Sequence, residues 1–206
     1  MFYIHRHQSE TKRLSTEQFL RLYQSGERDF SRIDISQASL NDFKLADINL
    51  CQAKLIKTNF GSTILSRANL ERANLRGATL WRANLCRASL VKAQCSQALL
   101  IRANLCQAGL YRACLDRAEL RLACLQGADL QNADLSEANL SYADLRSANL
   151  RGANLTRTIF TGANLSGAIL SNTNLDEAVL EGANLDRAIL PSLKVRDRYS
   201  ASSHQI

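Results

Sequence analysis

The stretch ANLERANLRGATLWRANLCRASL, residues 68–90, repeats with a period of five. An alanine lies two residues before every leucine of the series Leu70, Leu75, Leu80, Leu85 and Leu90. If every residue number divisible by five is taken as a repeat centre, the pattern runs from Phe30 to Leu190. Leucine fills 28 of these 33 centres, and Asn or Asp fills 17 of the 33 positions just before them. A repeat of this regularity sets the architecture of most of the chain.

Neither a helix nor a straight strand places these leucines on one side. On an α-helix, five residues turn through about 500°, so successive leucines would spread around the whole surface. On a straight strand they would alternate between faces, because five is an odd number. A short extended segment followed by a turn in every repeat places leucine and alanine inside and Asn/Asp outside. The period therefore predicts a β-solenoid whose coils lie about 4.8 Å apart.

The repeated unit, A(N/D)L followed by two variable residues, resembles the pentapeptide-repeat family, as in Ala68-Asn69-Leu70 and Ala133-Asp134-Leu135. The resemblance covers about residues 30–190. It implies an all-β fold, a right-handed quadrilateral parallel β-helix with four pentapeptides per coil, so that 33 repeats make about eight coils. The segment FLRLYQSGERDFSRIDISQASL, residues 19–40, is similar to the start of members common in cyanobacteria.

The residues before the repeats predict a short α-helical cap over about residues 16–25, lying across the first coil. An open solenoid end invites edge-to-edge pairing and needs such a cover. A capping box, a hydrophobic staple, an apolar face and a terminal glycine support the prediction. These cap residues are Leu14, Ser15, Gln18, Phe19, Leu22, Tyr23 and Gly26. The chain then divides into an N-terminal cap (1–29), the repeats (30–190) and a polar C-terminal tail (191–206).

Motifs for catalysis, metal binding and membrane insertion are absent from the sequence. The histidines are His5, His7 and His204, all near the termini, so none within the repeats can act as a base for Ser or Cys. There is no P-loop, dinucleotide-binding or HExxH motif and no CxxC pair. No run of about 18 apolar residues exists, and the N-terminus lacks the apolar stretch of a signal peptide. We therefore expect a non-enzymatic, cytoplasmic protein without a cofactor, a metal or a membrane span.

Cysteine usage leaves two alternatives open. A chain without an export signal is expected to keep its six cysteines as thiols. Cys86 and Cys106, however, occupy the same repeat position one coil apart. Their Cα atoms should be about 4.8 Å apart, within the usual disulfide window. A redox pair of Cys86 and Cys106 is therefore the alternative to free thiols.

Positive charge is concentrated in the N-terminal half of the repeats. The net charge is +7; residues 30–120 contain 13 Lys/Arg against 6 Asp/Glu, and residues 121–190 contain 5 against 8. Between residues 57 and 117, Lys or Arg fills nine of thirteen positions two residues after a centre. Stacked coils align these residues in columns, beside two aromatic residues and one isoleucine. The candidate interaction surface comprises Arg67, Arg72, Trp81, Arg82, Arg87, Lys92, Ile101, Arg102, Tyr111, Arg112 and Arg117; the ninth basic residue of the series is Lys57.

Two interpretations of the basic columns remain open. Solvated arginines keep a solenoid in solution and prevent self-pairing. Alternatively, the columns bind an anionic partner, either an acidic protein face or nucleic acid. Aromatics among arginines are typical of protein interfaces, whereas base stacking is disfavoured because Trp81 and Tyr111 lie on opposite faces. We favour a structural or protein-interaction module that presents a rigid four-sided surface.

The resemblance also implies two further alternatives. Some pentapeptide-repeat proteins mimic duplex DNA and bind type II topoisomerases, but mimicry needs rows of carboxylates and this chain carries +7. Some members dimerise at the C-terminal end. Four β-branched residues replace Asn/Asp there, namely Ile159, Ile169, Val179 and Ile189. They are either ladders suited to strand pairing or a patch for a C-terminal homodimer.

Overall fold

The computed structural model, which describes residues 12–191, contains one helix followed by a solenoid. Helix α1 spans Thr16–Gln24. In the solenoid each side of a coil contributes a single bridging residue, and the bridges are parallel and join residues twenty apart, as between Asn69 and Ser89. Twenty residues at five per side give four sides. The architecture is a right-handed quadrilateral parallel β-helix, which confirms the predicted fold class.

The backbone N–H groups of the repeat Leu70–Asn74 are all used. The N–H groups of Leu70 and Arg72 donate to carbonyls of the following coil at 2.7 and 2.9 Å. The alanine N–H closes a turn onto the Leu70 carbonyl at 3.0 Å, and the Asn74 N–H donates to the preceding coil at 2.9 Å. The remaining N–H, that of Glu71, donates to Oδ1 of Asn69 at 3.1 Å. The repeat therefore satisfies its own backbone donors without long strands.

This last hydrogen bond explains why Asn and Asp precede so many centres. Their side chains are short enough to accept from the N–H two residues further on, a common turn geometry. The same bond recurs from Ser36 to Asp34 at 3.0 Å and from Arg146 to Asp144 at 3.1 Å. In Asp34 the backbone N–H of Ser36 is the main reason that the pKa of the carboxyl lies below its ordinary value. The repeat pattern predicts only that these residues face outward, and the structure adds this role.

The second residue after each centre lies in the left-handed backbone region. Arg72, for example, has a φ of 55° and Arg102 a φ of 58°. For an ordinary residue this conformation costs about 1–2 kcal/mol. It is held here because the N–H of the same residue bonds to the next coil, at 2.9 Å for both arginines. The basic columns of the sequence analysis therefore stand at the corners of the solenoid.

Leucine and alanine fill the interior. The alanines from Ala68 to Ala153 and the leucines at the repeat centres from Leu40 to Leu155 are at most 1% exposed. Cys95 takes a leucine position, and burial raises the pKa of its thiol to about 12, which keeps it an uncharged apolar side chain. Where threonine replaces alanine, its hydroxyl finds a backbone partner, as Thr158 Oγ1 does by donating to the Leu135 carbonyl at 2.8 Å. These buried hydroxyls are therefore satisfied.

Helix α1 begins with a capping box. Oγ of Ser15 accepts from the N–H of Gln18 at 3.1 Å, and Oε1 of Gln18 accepts from the N–H of Ser15 at 2.9 Å. Gly26, with a φ of 102°, follows the C-cap residue Ser25. Leu22 was assigned to the apolar face by the sequence analysis but is 36% exposed, so it contributes less to that face.

The N-terminal segment covers both the interior and the backbone edge of the first coil. Phe19 is fully buried, and its ring centroid lies 4.5 Å from that of Phe30. Tyr23 packs beside them, 6.4 Å from Phe30. Leu14 donates its N–H to the carbonyl of Asp34 at 3.0 Å, so the chain before the helix pairs with the first coil. The cap therefore removes an exposed edge.

Parts of the predicted organisation lie outside the described residues. These are residues 1–11, which include His5 and His7, and the tail after Pro191, which includes His204. Across residues 12–191, no helix has the length and apolar character that crossing a bilayer requires.

Candidate interaction surface

Two opposite faces carry the aromatic residues of the candidate surface. The Trp81 face consists of the pentapeptides centred on Leu80, Leu100, Leu120, Leu140, Phe160 and Leu180. The Tyr111 face consists of those centred on Leu70, Leu90, Leu110, Leu130, Leu150, Leu170 and Leu190. Because a coil takes twenty residues, centres ten residues apart lie on opposite sides.

The nine basic residues are all exposed, but three of them are paired within the chain. Arg67 donates to both carboxylate oxygens of Asp47 at 2.6 Å. Arg117 donates to Glu137 at 2.9 Å, and Arg72 lies 3.7 Å from the glutamate that precedes it. These pairs are solvent-exposed, so each contributes little to stability, but they neutralise charge that a partner could otherwise use.

Arg82 and Arg102 form a corner column of the Trp81 face, and neither forms an ion pair with any residue between 12 and 191. The guanidinium carbon of Arg82 lies 4.6 Å from the centroid of the Trp81 ring, within the range of a cation–π interaction. On the Tyr111 face, Arg112 lies in the same way 5.2 Å from Tyr111. Each aromatic residue thus holds a neighbouring arginine at the surface.

Of the remaining basic residues, Lys57 lies in the corner column of Arg117, Arg87 in that of Arg67 and Lys92 in that of Arg112. Arg87 donates to the side-chain amide of Gln107 at 2.8 Å, one coil further on. The structure therefore separates the basic set into residues paired along the stack and residues that remain available to a partner.

Exposed apolar side chains concentrate on the Trp81 face. Within the described part of the chain, seven large apolar residues are exposed, and the Trp81 face carries five of them: Trp81, Leu99, Leu122, Tyr142 and Val179. Ile101 and Ile159 are half-buried on the same face. Of the other two exposed residues, Leu22 lies on α1 and Ile189 at the end of the Tyr111 face. The Trp81 face is therefore an apolar strip along most of the solenoid.

Trp81 and Ile101 were predicted from the sequence, whereas Leu99, Leu122 and Tyr142 were not. The signal becomes visible when the sequence is written in rows of twenty. Leu122 and Tyr142 then continue the corner column that begins with arginine, while Leu99 takes an Asn/Asp position. The structure also accommodates Tyr142 specifically, since a Cβ added at Gly162 would lie 2.6 Å from its ring. Glycine at 162 therefore lets the tyrosine lie along the surface.

Two thiols meet in a contact that the sequence analysis did not identify. Sγ of Cys106 lies 2.6 Å from Sγ of Cys124, across two adjacent coils. Burial, and then the contact with Cys124, raise the pKa of Cys106 to about 12. All six cysteines are free thiols in the structure, and the pairing of Cys86 with Cys106 stays a prediction.

A second cysteine lies beside an acid, but its environment does not activate it. Cys114 donates to Oδ1 of Asp116 at 3.0 Å, and Ser96 also contacts both. Burial, and then the bond to Asp116, raise the pKa of Cys114, whereas a nucleophilic cysteine needs a lowered one. Between residues 12 and 191, no three His, Cys, Asp or Glu side chains converge as metal ligands.

Comparisons with known proteins agree with this geometry. The family model described as pentapeptide repeats matches in eight copies, in overlapping stretches that together run from residue 33 to residue 191. No curated protein matches the chain. HetL, a pentapeptide repeat protein involved in heterocyst differentiation regulation in the cyanobacterium Nostoc sp. strain PCC 7120, is 31% identical, covering 87% of this chain and 98% of its own, with a TM-score of 0.39.

Two further solved structures are more distant in sequence. A trypsin-treated variant of QnrB1, a plasmid-mediated fluoroquinolone resistance protein, is 21% identical over 85% of this chain and 88% of its own, with a TM-score of 0.64. Rfr23, a pentapeptide repeat protein from the cyanobacterium Cyanothece 51142, is 22% identical over 85% of this chain and 98% of its own, with a TM-score of 0.26. The likeness to QnrB1 concerns the fold alone.

Proposed function

Because the chain belongs to the pentapeptide-repeat family, we propose that it is a non-enzymatic protein-interaction module and that the Trp81 face is its binding surface. The observation that carries the proposal is the concentration of five of the seven exposed large apolar residues on that face. Contiguous apolar patches on a water-facing surface are typical of interaction sites. Tryptophan, tyrosine and arginine, all found here, are the residues enriched at the centres of interfaces.

The fold suits this role because the face is held rigid before binding. Each coil is hydrogen-bonded to both neighbours, and the side chains behind the surface are fully buried. Little conformational entropy is then lost on association, which favours affinity. In this proposal Arg82 and Arg102 set the preference for a partner of negative charge, whereas Arg67 and Arg117, which are already paired, keep the solenoid soluble.

The alternatives have less support. A DNA mimic needs rows of free carboxylates, but Glu137 lies between Arg117 and Arg157, at 2.9 Å from each. Direct nucleic-acid binding has less support, since Trp81 and Tyr142, the exposed aromatic residues of the Trp81 face, lie three coils or about 14 Å apart, too far to stack successive bases. A cytoplasmic location, proposed from the sequence, is compatible with the free thiols. A C-terminal homodimer through the stacked pairs Ile159–Val179 and Ile169–Ile189 stays a prediction.

Capture of bound proteins from native cells tests the proposed face. We compare the wild type with Leu122→Asp, which charges the middle of the Trp81 face at a position that Glu137 fills elsewhere in the repeats. Arg112→Glu on the Tyr111 face is the matched control. Proteins retained by the control and lost with Leu122→Asp support the proposal. If both variants retain the same proteins as the wild type, the Trp81 face is not the binding surface.

A further inference from the structure

We infer that a second copy of this chain occupies the Trp81 face, packed antiparallel about a two-fold axis between the coils of Leu120 and Leu140. The inference rests on the proposed function, because it specifies the partner of the same surface. It concerns the long side of the solenoid and is therefore distinct from a dimer through the C-terminal end.

The apolar residues of the face match themselves under this symmetry. The axis lies in the interface, perpendicular to the solenoid, and it exchanges the coil of Leu100 with that of Phe160. Leu99 then faces the partner's Ile159, and Leu122 faces the partner's Tyr142. Every such contact occurs twice, as in all two-fold interfaces. From Leu80 to Leu180 there are five coil spacings, so the contact strip is about 24 Å long.

The charges of the face favour the antiparallel arrangement. Its N-terminal end carries Arg82 and Arg102, while its C-terminal end carries Glu181, which is exposed and has no ion-pair partner among residues 12–191. An antiparallel pair places Arg82 at the level of the partner's Glu181. A parallel pair would instead place arginine against arginine, which is unfavourable. The same asymmetry extends over the repeats, with a net charge of +7 in residues 30–120 and −3 in residues 121–190 (13 against 6 and 5 against 8).

The middle of the face is electrically neutral, as the core of an interface should be. There Arg121 donates to Glu119 at 3.0 Å, so neither charge is left for the partner to neutralise. The opposite face lacks this combination. It carries the column Arg72, Lys92 and Arg112, and its exposed large apolar residue is Ile189 alone within the described range.

Sedimentation velocity over a dilution series tests the inference on the full chain in reducing buffer. The variants are Arg82→Glu, Glu181→Arg and the double exchange, which carries both substitutions in one chain. The repeats already contain glutamate at the position of Arg82 (Glu137) and arginine at the position of Glu181 (Arg121), so both substitutions fit the fold. Arg112→Glu and Glu71→Arg are matched controls at the same repeat positions on the Tyr111 face.

We expect a concentration-dependent dimer in the wild type and in both controls. Each single reversal should raise the dimer dissociation constant by about tenfold or more, because the axis places each substitution in the interface twice. The double exchange should restore it to within about threefold of the wild type, since it reverses the charges of the pair together.

Three results would overturn the inference. The first is a wild type that is monomeric at every concentration. The second is a dimer whose dissociation constant the single reversals do not raise. The third is a double exchange that does not restore the wild-type dissociation constant. If the wild type is a monomer but Leu122→Asp still abolishes the capture of other proteins, this inference is wrong and the proposed function is supported, with a different protein bound to the Trp81 face. A wild-type dimer that captures nothing else supports self-association as the role of the face.

Discussion

Replacing Leu100 with alanine tests the claim that repeat centres face a closed interior. Leu100 is 1% exposed, whereas its neighbour Leu99 is 41% exposed on the Trp81 face. The two leucines are adjacent in sequence and share one coil, so the same substitution at each compares inside with outside under otherwise equal conditions. Leu100 is stacked between Leu80 and Leu120, and both of these are also fully buried.

The expected difference follows from burial and from how well the site can collapse. Removing a fully buried leucine side chain costs about 2.7–5 kcal/mol, with the larger values where the surroundings cannot close the cavity. The N–H groups of Leu80 and Leu100 each donate to the following coil at 2.7 Å, so the backbone around the cavity is fixed. We therefore expect Leu100→Ala to lower the free energy of unfolding by about 4 kcal/mol. Leu99→Ala leaves no internal cavity and should cost about 1 kcal/mol.

Equilibrium unfolding in guanidinium chloride, followed by circular dichroism on dilute monomeric protein, measures both values. A difference of about 3 kcal/mol in the free energy of unfolding is the expected result. An equal loss at both positions, or a larger loss at Leu99, would refute the inward orientation of the repeat centres and with it the assignment of the Trp81 face.

The remaining predictions concern the cap, the turn and the thiols. Phe19→Ala should lower the free energy of unfolding by about 3–5 kcal/mol because Phe19 is fully buried over the first coil, whereas Leu22→Ala should cost far less in the same assay. The pKa of Asp34 is lowered, so its stabilising effect is present above the ordinary value of 3.8 and is lost as the pH falls through the folded value. Asp34→Asn keeps the acceptor oxygen and should flatten the acid limb of the stability profile below about pH 4, and an unchanged acid limb contradicts this. With a pKa of about 12, Cys106 should be alkylated at pH 8 much more slowly than glutathione, and Cys124→Ser should accelerate it, as peptide mass spectrometry of a time course can show.

The cap and the turns show how far local sequence information extends. Ser15 and Gln18 identify the start of the helix because a capping box involves residues three positions apart. The turn bond from Glu71 to Asn69 is equally local, yet it was missed, because periodicity shows only that the position faces outward. Knowledge of the backbone path was needed to see which donor the side chain meets.

The sequence by itself determined that the backbone turns after every five residues and that leucine and alanine face the interior. That conclusion is available locally, because whether a side chain points in or out depends on its own repeat. Only the tertiary structure decided which side chains meet across coils, since the twenty-residue register that the resemblance implied does not by itself show contacts such as that of Cys106 with Cys124. It also decided that Arg67 is paired while Arg82 is not, because each depends on the residue that a neighbouring coil places beside it.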